Sequence, residues 1–231
     1  MRIRSSQRSH VGGWLYHRLY HELAWGYDAV SWMVSLGQWQ AWRRVALEYV
    51  TGERVVEVGF GTGELLLELA AQGVQVCGID LSSDMHRITA AKLRRQDRRT
   101  PLPAQPGLVR AAIQHLPLAS GSVDTLITTF PAEFIAHART WQELGRVLRP
   151  PAPGQETGGR CVAVGISVYL DRGPLRWTSR LTRPRRRGEG GIDSVRRCAR
   201  LAGIARLQTR VDMHVFASSR VPVLVAERVL P

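Results

Sequence analysis

Glycines at 59, 61 and 63, set directly after the apolar run Val55-Val56-Glu57-Val58, are the residues in this chain best suited to cradling a ligand. Glycine turns a backbone sharply at no steric cost and puts no Cβ between a loop and a molecule lying across it. The following segment, Glu64 to Gly73, is rich in helix formers and stopped by glycine. Its free amides and positive dipole end therefore face the loop and favour an anionic group. A second apolar run, Val74 to Ile79, ends at Asp80. A carboxylate at the C-terminal edge of an inner strand can accept both hydroxyls of a ribose. Strand, glycine loop, helix and acid-ended strand, in that order, point to a nucleoside-containing ligand. The alternative is a glycine turn in an α/β protein that binds nothing.

A nicotinamide dinucleotide is one such ligand, but its fingerprint places a third glycine in a G-x-G-x-x-G run, close beneath a pyrophosphate. That position is Glu64 here, and a carboxylate in the first helical turn repels a pyrophosphate. A sulfonium ligand with an ammonium and a single carboxylate meets no such objection, and Glu57 at the end of the first strand suits the ammonium. The stretch Glu57 to Gly63, together with Asp80, resembles the class I S-adenosylmethionine-dependent methyltransferases. Further on, Leu116-Pro117-Leu118-Ala119-Ser120-Gly121-Ser122-Val123-Asp124 is similar to the segment that leads into that family's fourth strand. The resemblance implies S-adenosylmethionine as cofactor, held by Glu57, Gly59, Phe60, Gly61, Asp80, Leu81, Ile113 and Phe130. Relatives often carry an acidic residue for the adenine amino group; the matching position here is Ala112. Adenine is then left to the backbone of Ile113, to Gln114 and to apolar packing.

The segment from Trp25 through Tyr27, Asp28, Ser35 and Gly37 to Trp39 and Arg44 is similar to the lead-in of the ubiquinone and menaquinone C-methyltransferases and their small-molecule relatives. In that family the helix bearing the residue matched by Tyr27 lies over the cofactor, which adds Tyr27 to the candidate set. Aromatic faces also suit a sulfonium cation. The other aromatics of the region, Trp14, Tyr16, Tyr20, Trp25, Trp32, Trp39 and Trp42, read more simply as pins for amphipathic helices.

Elements along the rest of the chain alternate: helix Met85 to Arg95, strand Leu108 to Arg110, strand Val123 to Thr129, helix Thr140 to Leu148 and strand Arg160 to Tyr169. The loop Pro150 to Gly159 precedes that last strand. Helix Ile192 to Ala202 follows it, and then strands Arg206 to Phe216 and Val221 to Val229, joined through Ser218, Ser219 and Arg220. This pattern implies a Rossmann-like, seven-stranded, mostly parallel sheet with helices on both faces and an antiparallel C-terminal pair. With 231 residues and 44% hydrophobic content, one domain is expected over 1–231, with 1–50 as a helical cover and 51–231 as the core.

The formal charge of +13 raises the prospect of nucleic acid or an anionic membrane surface as partner. Nearly all of it is arginine, for Lys92 is the single lysine. Arg94, Arg95, Arg98 and Arg99 read as a solvated helix end, and Arg180, Arg183, Arg185, Arg186 and Arg187 as a loop near the substrate mouth. Cys77, Cys161 and Cys198 are odd in number and lack metal-type spacing, so free thiols, no metal and a cytoplasmic setting are expected. No signal-length or membrane-spanning apolar run is evident. Oligomeric state is not legible.

Methyl transfer is an in-line displacement that needs no obligatory catalytic residue, because alignment and exclusion of water supply much of the effect. Glu133 or His137, after the fourth strand, can serve as a base or simply face solvent. Thr129-Phe130-Pro131-Ala132 stands where a base-methylating enzyme carries its "NPPY"-type motif. The expected function is methylation of a small apolar or amphiphilic acceptor. The alternatives are an RNA methyltransferase and a non-catalytic binding relative.

Overall fold

The computed structural model describes residues 37–170 and 191–230. Tyr27 and the arginines from 180 to 187 lie outside them. The chain divides into two units, Met1–Trp39 and Gln40–Pro231, and the second contains the sheet. A short helix, α1 (Trp39–Arg44), runs into a 3-10 turn (Val45–Tyr49). Then follow β1 (Val55–Val58), α2 (Glu64–Ala71), β2 (Val76–Asp80), α3 (Ser83–Arg99) and β3 (Gly107–Arg110). After them come β4 (Thr125–Thr129), α4 (Ala138–Val147), β5 (Thr157–Val164) and the two-residue β6 (Tyr169–Leu170). The chain closes with α5 (Gly191–Ile204), β7 (Leu207–Val215) and β8 (Ser219–Val229).

Strands β1 to β5 pair in parallel in the order β3-β2-β1-β4-β5, and β8 runs antiparallel against β5 with β7 beyond it. Arg220 of β8 pairs with Val215 of β7 on one edge and with Tyr169 of β6 on the other. Therefore β6 continues the line of β5, and the sheet has seven strand positions, as the α/β alternation implies. All of β1 and nearly all of β4 are buried, the signature of parallel strands covered on both faces.

Each helix presents a stripe at helical spacing to this sheet. Met85, Thr89 and Leu93 do so on α3, Trp141, Leu144 and Val147 on α4, and Val195, Cys198 and Ala202 on α5. The start of α3 is fixed by Ser82, whose hydroxyl accepts the Met85 amide at 3.3 Å, with Asp84 in the first turn and Arg98 and Arg99 in the last. The three cysteines are free thiols.

Several boundaries differ from the sequence reading, two of them for identifiable reasons. The expected strand Arg160 to Tyr169 breaks after Val164. There Gly165 takes a φ of 73°, and opposite lies Pro222, whose carbonyl faces this edge and accepts the Gly165 amide at 3.4 Å. A strand residue points its N–H and C=O the same way, and proline has no N–H to give, so the ladder resumes only at Tyr169. The final hairpin turns earlier than Ser218 to Arg220: Ala217 and Ser218 form the loop, and the Phe216 amide closes onto the Ser219 carbonyl at 2.8 Å. Strand β5 also begins earlier, within the expected loop.

Gly159 at the start of β5 shows how closely the sheet is packed at its other end. A Cβ there would stand 2.4 Å from the Val123 carbonyl and 2.9 Å from the Arg149 nitrogen, both backbone atoms that cannot swing away. Gly159→Ala should lower the unfolding free energy by about 1–3 kcal/mol, the usual cost of overpacking, as read by denaturant titration. An unchanged midpoint would show that the strand shifts freely there.

Candidate functional site

Parallel pairing brings the ends of β1, β2 and β3 to one edge of the sheet, with Val58 beside Ile79 and Asp80 beside Arg110. Strand β1 lies between β2 and β4, so the chain's course across the sheet reverses there, which is where open α/β sheets leave a crevice for ligands. The glycine loop emerges from β1 at this point. Its first amide, on Gly59, donates to the Ile79 carbonyl at 2.7 Å and prolongs the pairing by one residue.

All three loop glycines have positive φ, at 72°, 53° and 77°, a region that side chains disfavour. Their surroundings separate their roles. A Cβ on Gly63 would lie 2.3 Å from Thr89 Cγ2, so this glycine lets α3 pack against the loop. A Cβ on Gly59 would touch the Phe134 ring at 3.6 Å. A Cβ on Gly61 would meet nothing within 4 Å. Of the three, Gly61 is the one whose missing side chain leaves open space against the backbone. Gly63 is also the N-cap of α2 and supplies no capping side chain, so the amides of Glu64 and Leu65 receive no cap from it, while that of Leu66 is taken by Glu57.

Asp80 binds the loop to the neighbouring strand. Its Oδ2 accepts the Gly61 amide at 3.1 Å and its Oδ1 accepts the Ser82 amide at 2.8 Å. Burial pushes its carboxyl up, against the pull of the Ser82, Gly61 and Leu81 amides, and the carboxylate retains acceptor capacity for a further donor. Beside it Leu81 is 63% exposed, an apolar surface that an adenine ring can cover. From the other side of the loop, Thr89 of α3 donates its hydroxyl to the Gly61 carbonyl at 3.0 Å.

Other candidate residues are placed differently. Phe60 is buried, stacked edge-on against His86 at 5.0 Å, with its ring over Gly78; a contribution to a ligand falls to its backbone. Ile113 is buried too, at the head of a 3-10 turn (Ile113–His115) whose first amides have no partner within the turn. Phe130 has a φ of 48°, an uncommon conformation for a side-chain-bearing residue and one that gathers at functional sites. Its ring fills the space above Gly165 and lies 6.3 Å from that of Trp42. Glu133 and His137 are exposed on the segment after β4.

Glu57 is only 1% exposed; the Leu66 amide of α2 donates to its carboxyl, and Oε2 is a buried acceptor without a partner. Burial pushes the group up to about 8, with Arg43 pulling the other way. Glu64 pairs with Lys92 of α3, so the charge that argues against a pyrophosphate is partly offset. Phe134, Thr89 and Arg43 escaped the sequence reading. Each acts through a contact with a residue distant in the chain, and no local signal marks it.

The glycine loop, the strand-end carboxylate and the sheet order define a nucleotide-binding domain of the Rossmann-like class. Residues 56–152 match the family described as methyltransferase domain. The chain is 28% identical over 138 residues to the ubiquinone/menaquinone biosynthesis C-methyltransferase of Geotalea uraniireducens (strain Rf4), covering 57% of each chain. It is 31% identical over 154 residues to the demethylmenaquinone methyltransferase of Beutenbergia cavernae, covering 65% of this chain. The match spans 57% of the length of each of these relatives. Among solved structures, an S-adenosylmethionine-dependent methyltransferase of Methanosarcina mazei superposes with a TM-score of 0.57 at 18% identity, over 81% of this chain and 98% of its own. Over residues 56–152 the chain is thus similar to the methyltransferase domain, and its fold is that of S-adenosylmethionine-dependent methyltransferases.

The residues present fit that cofactor on two observations, the open Cβ position of Gly61 and the orphaned buried oxygen of Glu57. Among the described residues no group of three or more His, Cys, Asp or Glu is placed to hold a metal ion. Nor is any helix there long and apolar enough to cross a membrane.

Two measurements follow from this geometry. Gly61→Val should leave a folded protein that has lost nearly all affinity for S-adenosylhomocysteine, whereas Gly63→Val should unfold at markedly lower denaturant because it drives α3 off the loop. For Glu57, the folded protein keeps a proton up to about pH 8 that the unfolded chain releases in the ordinary carboxylate range. Between those limits the native state binds more protons, so stability falls as pH rises. Glu57→Gln removes this slope; its stability relative to the native sequence should grow from pH 5 to pH 8.5 in paired denaturant titrations, and a constant difference would contradict the assignment.

Proposed function

We propose that this chain transfers a methyl group from S-adenosylmethionine to a small apolar or amphiphilic acceptor. The observation that carries the reading is the open face of Gly61 held beside Asp80 at the reversal point of the sheet. When bound, the cofactor supplies a methyl group on a sulfonium, activated toward any nucleophile held in line with it. Asp80 accepts the ribose hydroxyls through its remaining lone pairs, Leu81 and the turn at Ile113 flank the adenine, and Glu57 answers the ammonium with its orphaned oxygen. Gly61 admits the ligand to the backbone, and Gly59 and Phe60 add main-chain groups. Tyr27, on the resemblance alone, completes the set. The reading treats residues 1–231 as one domain.

The rim of the crevice beyond β4 carries Phe130 and Phe134, with Trp42 beside Phe130, an apolar aromatic setting in keeping with an apolar acceptor and with excluding water. The names of the relatives, which act on quinone precursors, support an acceptor with a polar ring and an apolar body. Glu133 or His137, exposed on the same segment, is a candidate base for a nucleophile that must lose a proton.

A second reading, an RNA methyltransferase, rests on α3. Arg94, Arg95, Arg98 and Arg99 are exposed along it, and among the described residues none of them makes an ion pair. It predicts RNA binding that weakens steeply with salt.

Calorimetric titration with S-adenosylmethionine and S-adenosylhomocysteine tests the leading reading. Micromolar binding that Asp80→Ala abolishes and NADH does not compete for supports it, with methyl transfer to a quinone-like phenol as the next assay. Absence of binding leaves a non-catalytic relative as the better description.

A further inference from the structure

Among the described residues strand β7 is one of the two edges of the sheet, β3 being the other. The nine residues of β7 pair with β8 on one side and, among the described residues, with nothing on the other. Exposed long edges invite pairing with another chain, and natural proteins blunt them with lysine, proline or bulges. The stretch Leu207–Val215 has no lysine, proline or bulge, and its two charges, Arg210 and Asp212, are of opposite sign. It is continuous in register with β8 and carries Val211, Met213 and Val215 at 42%, 43% and 72% exposure on one face.

The hairpin closure fixes which backbone groups are free. The Phe216 amide bonds the Ser219 carbonyl, so Phe216 and every second residue before it, His214, Asp212, Arg210 and Gln208, point their N–H and C=O at β8. Val215, Met213, Val211, Thr209 and Leu207 therefore point theirs outward. A second copy running antiparallel must match outward residues with outward residues. For a two-fold joint the centre then falls either on an outward residue or on one midway between two of them.

Charge selects among these centres. Centring on Arg210 or Asp212 sets like charges face to face. Centring on Val211 puts Arg210 opposite Asp212 of the partner and Asp212 opposite the partner's Arg210, with Thr209 opposite Met213 and Leu207 opposite Val215. Directly opposed residues in an antiparallel pair share a face, so the two ion pairs form on one side of the sheet and the apolar row closes on the other. Within one chain Arg210 Nε already approaches Asp212 Oδ2 at 3.3 Å, while its Nη1 binds Glu227 at 2.9 Å. The guanidinium is thus fixed on the face shared by Arg210 and Asp212, where Asp212 Oδ2 also accepts the Tyr49 hydroxyl at 3.0 Å, and the second carboxylate oxygen is left for the partner's guanidinium.

We propose that a second copy of this chain docks antiparallel on β7, with the two-fold axis at Val211, and joins the two sheets into one. The occupant is the chain itself because both the backbone phase and the charges of this edge are complementary to themselves. An edge joint is small beside the roughly 1,200–2,000 Å² of stable interfaces, so the expected association is micromolar.

Sedimentation equilibrium of the full chain tests this at about 100 µM, where a micromolar dimer is well populated. The expected mass is that of a dimer. Val211→Pro should give a monomer with an unchanged melting profile, since the Val211 amide faces away from β8 and its loss costs no bond within the fold. Arg210→Glu should weaken the dimer at least tenfold, and Arg210→Glu combined with Asp212→Arg should restore it. A monomeric native protein at that concentration, or a dimer that survives Val211→Pro, overturns the proposal. A dimer indifferent to Arg210→Glu overturns the register.

Discussion

The carboxylate of Asp80 is the constraint on which the site depends. It is the last residue of β2, yet it accepts amides from the glycine loop after β1 and from Ser82 before α3. One charged side chain thus ties two βα turns to each other, and charge-assisted bonds to backbone amides are among the stronger hydrogen bonds available to a protein. The loop is held from two further directions, by Thr89 at the Gly61 carbonyl and by the close approach of the same threonine to Gly63. What remains free is the outward side of Gly61. A ligand that seats there meets a backbone already fixed in place, and little ordering entropy is lost on binding.

Beneath the loop the design is different. Arg43, itself 7% exposed, reaches Glu68 on α2 at 2.8 Å, and Arg44 reaches the other oxygen of the same carboxylate at 3.0 Å. Helix α1 is strapped to α2 by these bonds, while Trp42, the residue before Arg43, donates to the Ser219 hydroxyl at 2.9 Å. Glu57 lies in this environment, with only the Leu66 amide and the field of Arg43 to favour its charge. Burying an ionised carboxylate so poorly solvated is expensive, which is why its proton is retained to high pH. A cationic ligand group changes that balance. The same residue that weakens the empty protein as pH rises then becomes an attractive site for an ammonium.

At the opposite edge of the sheet the chain concentrates stability. Asp124, at the foot of β4, accepts bonds from the Arg54 side chain and amide and from Arg149, and these hold its carboxyl well below the usual range. Gly52 and Gly159 admit the backbone beside it, since a Cβ on either would overlap Asp124 or the neighbouring main chain. The strongly paired charge is therefore far from the site and the incompletely paired charge is within it. Electrostatic satisfaction marks the structural end of the fold, and its absence marks the functional end.

Much of this was legible in the chain because it is written in local spacing. Alternating elements, the glycine run after an apolar strand, the acid at the end of the next strand and the antiparallel finish each depend on neighbouring residues, and the sheet is mostly parallel with the antiparallel pair they imply. Tertiary structure alone decided how the candidate residues divide. Gly59, Gly61 and Gly63 are identical in sequence, yet they face Phe134, open space and Thr89, because helices from far along the chain pack against two of them and not the third. Phe60 turned inward because Gly78, on the next strand, left room for its ring. The break in the fifth strand was set by Pro222, more than fifty residues later. Spacing reports which groups the backbone can offer; which of them remain free is settled by what packs against them, and a residue's own neighbours do not carry that information.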